Sequence, residues 1–209
     1  MSIDNNQQIN IIHIGKCGGS TIEKILTKNN IEFNKIHITK PIFNKKYKYL
    51  ITIRNPIDRF ISAFNWRYKL VVLDKIQENR FEGEKDTLIK YGCVNNLAEN
   101  ITSFDINKSY IHHIYEDINF YLDDFLGKCK KENIIGILTQ EDLQHDIKQI
   151  FNICDTNIHI NQNNTIINKY ISSQGYDLLK NYLYKDYECI NKLFAMGCLS
   201  DKQYKILSK

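Results

Sequence analysis

The sequence predicts a three-layer α/β fold, a mainly parallel central sheet flanked by helices. Two observations predict it. Short apolar, β-branched runs alternate along the chain with amphipathic stretches of helical period. The 209 residues, 43% hydrophobic and 25% charged, suit a single packed core, and with only 9 glycines and 2 prolines no stretch reads as a low-complexity linker. The expectation is one domain over residues 1–209, with an insertion on one side of the site at about residues 70–115.

The first apolar run, Ile9 to Ile14, ends at Gly15 and reads as a buried strand. A glycine-rich loop follows, and Ser20 or Thr21 opens a helix to about Lys28 with Ile22, Ile25 and Leu26 on one face. Ile31 to Ile38 alternates weakly as a second strand, and Tyr47 to Ile53 is a central third strand. Pro56 suits the first turn of the next helix, where a missing N–H costs nothing, and Ile57, Phe60, Ile61, Phe64 and Tyr68 form its core side. Residues 74–108 are charged, with a helical stretch near Asp86 to Asn96. Glu116 to Leu126 reads as helix, Asn133 to Thr139 as a fourth strand and Glu141 to Cys154 as an amphipathic helix. After a polar loop at 157–168, Ser172 to Met196 reads as one long terminal helix, its apolar residues at helical spacing.

A net charge of +4 is mild for a polyanion binder, so a small anionic ligand is expected and nucleic acid is not. No apolar window has the length of a membrane span and the first ten residues lack a signal-peptide core, so a cytoplasmic location is expected. The six cysteines are scattered without a CxxC pair, which predicts free thiols and no metal site.

Two segments carry chemistry. A strand, a Gly-rich turn with Lys16, then Ser20 and Thr21 opening a helix make an anion cradle, because backbone N–H groups and the helix dipole face the ligand. It is not a Walker A loop. Asn10 stands at the first glycine position of that pattern, Cys17 follows the lysine, and Gly18 and Gly19 come after it. The second segment is ITIRNPIDRFISAFNWR, residues 51–67. Arg54 emerges at the C-terminal end of a strand, the edge where ligands bind in open α/β sheets, and Ser62 lies in the following helix. An arginine there suits a two-pronged grip on a terminal phosphate. Arg67 reads as an ion pair or a solvated helix face, as does Arg59 with less force.

With both segments in view, the chain resembles the sulfotransferases that use 3′-phosphoadenosine 5′-phosphosulfate (PAPS). HIGKCGGST is similar to their 5′-phosphosulfate loop, and IRNPIDRFISAF to their 3′-phosphate motif. The pattern lies nearest the carbohydrate-type enzymes, including the uronyl and heparan 2-O-sulfotransferases. It continues into IIGILTQEDL and, weakly, into INQNNT and YKDYECI. Gly15 stands where the family commonly has proline, and Cys17 where it has threonine.

The resemblance implies a P-loop-like fold, PAPS as donor, PAP as product and no required metal. The acceptor would be a glycan or another hydroxyl or amine compound. It implies donor contacts from Lys16, Cys17, Gly18, Gly19, Ser20, Thr21, Arg54 and Ser62, with Lys16 neutralising the leaving oxygen. His37, at the end of the second strand, is the expected general base, since an imidazole of ordinary pKa near ~6.5 suits that task. His112 and His113 are its rivals as base or as acceptor contacts. His13, inside a strand, reads as structural, and Trp66 as core close to the site. Glu116 and Asp117 read as acceptor contacts or as a solvated helix start. Two other readings stay open: a P-loop nucleotide kinase, and a catalytically inactive module that binds PAP or a nucleotide.

Overall fold

The computed structural model describes residues 8–103, 110–154 and 168–209. Strand β1 (Ile9–His13) is buried along its whole length. It runs parallel to β2 (Phe33–Ile36) on one side and to β3 (Lys48–Ile53) on the other, and β4 (Ile134–Thr139) pairs parallel with β3. The sheet therefore has four strands in the order β2-β1-β3-β4, all parallel, as the near-continuous apolar runs of β1 and β3 require.

Alternation along the strands sends apolar side chains to two faces. Ile12, Ile14, Tyr49, Ile51 and Ile53 pack on helices α5 (Ile118–Leu126), α8 (Tyr184–Ala195) and α9 (Asp201–Leu207). Ile9, Ile11, Leu50 and Leu138 face the other way, onto α1 (Gly19–Lys28) and α6 (Leu143–Phe151). A third apolar cluster joins α2 (Pro56–Arg67), α3 (Glu84–Tyr91), α4 (Val94–Glu99) and α7 (Ser173–Tyr182) through Phe60, Phe64, Leu88, Leu97 and Leu179.

Two expectations need correction. The helix expected near Asp86 to Asn96 is two short helices, α3 and α4, because Gly92 takes a positive φ of 67° and stops the first. The long terminal helix is likewise two, broken at Leu183, so that α7 packs beside α4 and α8 beside α5. Beyond it lies α9, opened by a capping box in which Ser200 and Gln203 bond reciprocally. The stretch from 70 to 115 includes α3 and α4, whose apolar faces, with Ile111 and Ile114, help build the third cluster. The INQNNT segment and most of the polar loop at 157–168 lie outside the described residues. No helix among the described residues is long and apolar enough to cross a membrane.

Candidate functional site

At the C-terminal ends of the strands lies a cleft of about 470 Å³. Its floor is the loop after β1. Lys16 and Gly18 both take left-handed backbone angles, φ 69° and 79°, which fold the loop so that Cys17 N–H donates to the Ile14 carbonyl at 3.3 Å. The φ of 79° favours glycine at position 18, and a Cβ there would also push aside Gln140 Oε1, 1.8 Å away at the end of a flexible side chain. Gly18 O then accepts from Thr21 N–H and Ile22 N–H at 3.0 and 3.2 Å, starting α1. Gly19 and Ser20, in the first turn, have no helical carbonyl ahead of them, so their N–H groups are available to an anion in the cleft.

The second wall comes from β3 and α2. Asn55 caps α2, accepting from Ile57 N–H and Asp58 N–H at 3.0 and 3.2 Å, and Pro56 fills the first helical position. This cap turns the chain sharply after β3 and brings Arg54 and Ser62 to the same cleft. Arg54 Nε stands 3.8 Å from Glu141 Oε1, too far for a hydrogen bond, because that oxygen is taken by Asn55 N–H at 2.9 Å. The Nε is enclosed with no hydrogen-bond partner among the described residues. A guanidinium with an unspent inward donor is suited to an anionic ligand.

The third wall is imidazole. His37, just past β2, donates from Nδ1 to the His13 carbonyl at 2.8 Å, since a carbonyl only accepts. That bond fixes the tautomer and leaves the lone pair on Nε2. The ring stacks on His13 at 4.3 Å between centroids. Burial and the nearby Lys35 ammonium hold His37 below its ordinary pKa, against the opposite pull of the His13 carbonyl and Glu23. His37 is therefore neutral at pH 7, as a base must be. Lys16 extends its ammonium over the Trp66 ring at 4.5 Å, and burial, with Arg54 and Arg67 beside it, lowers its pKa to about 8.

Lys16, Gly18, Gly19, Ser20, Thr21, His37, Arg54 and Ser62 thus line one cleft, joined by His13, Lys35, Trp66, His113 and Gln140. Cys17 is the exception among the expected contacts. Its side chain is fully buried in the core cluster below the loop, its thiol pushed up to about 12 by burial, and its N–H is spent on the turn. Cys17 is thus the one residue of the expected donor set that does not line the cleft.

Arg59 is buried and donates to the carbonyls of Gly15 at 3.4 Å and His113 at 2.6 Å, pinning the loop to the turn before α5. Arg67 forms a buried two-pronged pair with Glu84 at 2.9 and 2.5 Å. Asp117 caps α5, accepting from Phe120 N–H at 2.7 Å, whereas Glu116 is buried beside His112 and His113.

Sequence reading alone missed His13, Lys35 and Gln140 as cleft residues. Gln140 follows β4 directly, and that position at a strand's C-terminal end was the signal available. His13 and Lys35 share Glu23, at 2.7 and 2.9 Å, a contact visible only once β1, β2 and α1 are packed together. Comparison of the chain with protein-family models, with curated proteins and with solved structures finds no match.

Proposed function

We propose that the protein has a P-loop-like fold and is a sulfotransferase that moves the sulfuryl group of PAPS to a hydroxyl or amine acceptor, a carbohydrate in the first instance. The observation that carries this reading is the convergence on one cleft of two separate anion sites and a base. The Gly18–Thr21 helix start with Lys16 is one site, Arg54 with Ser62 the other, and His37 Nε2 is the base. A donor with phosphate groups at both ends of its nucleoside needs two such sites.

The residues divide the work as follows. The N–H groups of Gly19 and Ser20 and the Lys16 ammonium bind the 5′ side. Arg54 and Ser62 bind the 3′-phosphate, which sets the register of the donor along the cleft. His37 Nε2 takes the acceptor proton while the acceptor oxygen bonds to sulfur and the bond from sulfur to the leaving phosphate oxygen breaks. Lys16 neutralises the charge that builds on that leaving oxygen. None of these roles calls for a metal ion.

The test is incubation with labelled PAPS and a panel of glycans, phenols and peptides, beside calorimetry with PAP, AMP and ATP after chelation. Transfer of label with PAP as the tightest ligand is expected. Tighter binding of ATP with magnesium would install the kinase reading, and PAP binding without transfer to any acceptor would leave an inactive binding module.

A further inference from the structure

At the cleft wall, where His113 lies, three ligand-type side chains converge from a single short segment. One ligand atom from each of His112, His113 and Glu116 lies within 4.8 Å of the others. His112 Nδ1 is 3.5 Å, and His113 Nδ1 3.8 Å, from Glu116 Oε2. The three residues are buried, at 5%, 6% and 6% exposure. We infer that His112, His113 and Glu116 form a binding site for a divalent first-row transition metal ion of the zinc class.

Four observations support it. First, His113 Nδ1 and Glu116 Oε2 are buried without a hydrogen-bond partner among the described residues. Buried polar atoms are normally satisfied, and here two unsatisfied ones sit on facing side chains, an imidazole nitrogen and a carboxylate oxygen.

Second, the spacing suits an ion. A tetrahedral zinc at ~2.0–2.1 Å from each donor sets its ligand atoms about 3.4 Å apart. The two distances to Glu116 exceed this by less than half an ångström and the whole group stays within 4.8 Å, so the side chains must draw together to close on an ion.

Third, His113 holds φ 69°, a left-handed angle that a histidine adopts at a cost, and so its ring lies beside that of His112, centroids 3.9 Å apart. The strain is maintained by Arg59, which grips the His113 carbonyl at 2.6 Å, and by Glu84, which accepts the His112 N–H at 2.9 Å.

Fourth, the carboxylate is already oriented. Tyr110 O–H donates to Glu116 Oε1 at 3.1 Å, leaving Oε2 as the free ligand atom in the manner of outer-shell support at metal sites; the same hydroxyl oxygen lies 3.5 Å from His112 Nδ1, a contact that metal binding would replace.

Two imidazoles and one carboxylate favour zinc or its surrogate cobalt over magnesium, calcium or manganese, which prefer all-oxygen sets. Three protein ligands leave a fourth position for water. This inference departs from the expectation of no metal, and it stands whether or not the cleft transfers sulfuryl groups.

The experiment is a cobalt titration of untagged, chelator-stripped protein, read by visible d–d absorption and by calorimetry. One cobalt ion per chain is expected, displaced by zinc and not by excess magnesium. Glu116→Gln and His113→Ala should each weaken binding by more than about 100-fold, since even outer-shell partners are worth about 10–100-fold. Circular dichroism of the metal-free variants reports whether they are folded. Should His113→Ala unfold, the near-isosteric Glu116→Gln decides alone. His145→Ala, in the more exposed Asp142, His145 and Asp146 group, serves as the control and should bind cobalt normally. Absence of stoichiometric binding, displacement by magnesium, an unchanged affinity in folded Glu116→Gln, or a loss in His145→Ala would each overturn the inference.

Discussion

Replacing Arg54 by alanine separates the two ends of the proposed donor. The guanidinium is a quarter exposed, stands 3.8 Å from Glu141 and makes no Nε hydrogen bond among the described residues. Its loss should therefore cost the fold little, within the ~0–1 kcal/mol of an exposed ion pair. Toward a 3′-phosphate the same group offers charge-assisted hydrogen bonds worth about 1.5–3 kcal/mol. At about 1.4 kcal/mol per decade, the dissociation constant for PAP should rise by roughly 10- to 150-fold. Adenosine 5′-phosphosulfate, which lacks the 3′-phosphate, should bind the variant nearly as well as the native protein. Calorimetry with both ligands at one fixed salt concentration reads the difference directly. Arg54→Lys should recover only part of the loss, because an ammonium keeps the charge and not the planar fork. If both ligands weaken by the same factor, Arg54 acts through the general potential of the cleft, and the assignment of the 3′ site is wrong.

Other expectations follow from the same geometry. His37→Ala should lower turnover by about 10²–10⁴ while PAP affinity, measured by calorimetry, stays near native; normal turnover would move the base elsewhere. The pH profile of kcat/KM for the donor should be a bell. Its rising limb should lie below the ordinary imidazole value of 6.5, because His37 is active only unprotonated and its pKa is lowered. Its falling limb should come near 8, where Lys16 loses its charge, and Lys16→Arg should remove that limb from the profile. Arg67→Ala should destabilise the protein by about 3–5 kcal/mol in urea unfolding, since it strands the Glu84 carboxylate at 1% exposure; a loss under about 1 kcal/mol would show that the buried pair matters little. Gly15→Ala would place a Cβ 2.3 Å from His113 Nδ1, so it should displace that ring and lower the melting temperature.

The strands were legible because a parallel sheet buried on both faces writes itself as apolar runs, and each of the four appears within a residue or two of its expected place. The two motifs proposed to bind the donor were legible for a related reason: Lys16 and Gly18 lie just past the end of β1, and Arg54 just past the end of β3. What escaped was everything decided by packing. Residues 172–196 keep one helical period through Leu183, and only the need to meet α4 and then α5 breaks the helix there. The glycine at position 15 looked like a departure from a proline pattern. Its reason is the His113 ring occupying the space above it, and that ring arrives from a segment remote in sequence. The grouping of His112, His113 and Glu116 was written in the sequence as HHIYE. Its meaning depends on burial and on which nitrogen faces the carboxylate, neither of which periodicity reports.

The parallel pairing of β3 with β4 bears on how the chain is made. Tyr49 finds its partner in Ile134, and residues 50–133 must be synthesised before that contact exists. At about 5–20 residues per second, the outer edge of β3 stays open on the ribosome for roughly 4–17 s. That edge belongs to an almost wholly apolar strand, KYLITI, the kind of surface that recruits other chains. Expression at low temperature or with holdase chaperones should therefore raise the yield of native protein more than any stabilising surface substitution, because the hazard lies in the interval before β4 emerges and not in the finished sheet.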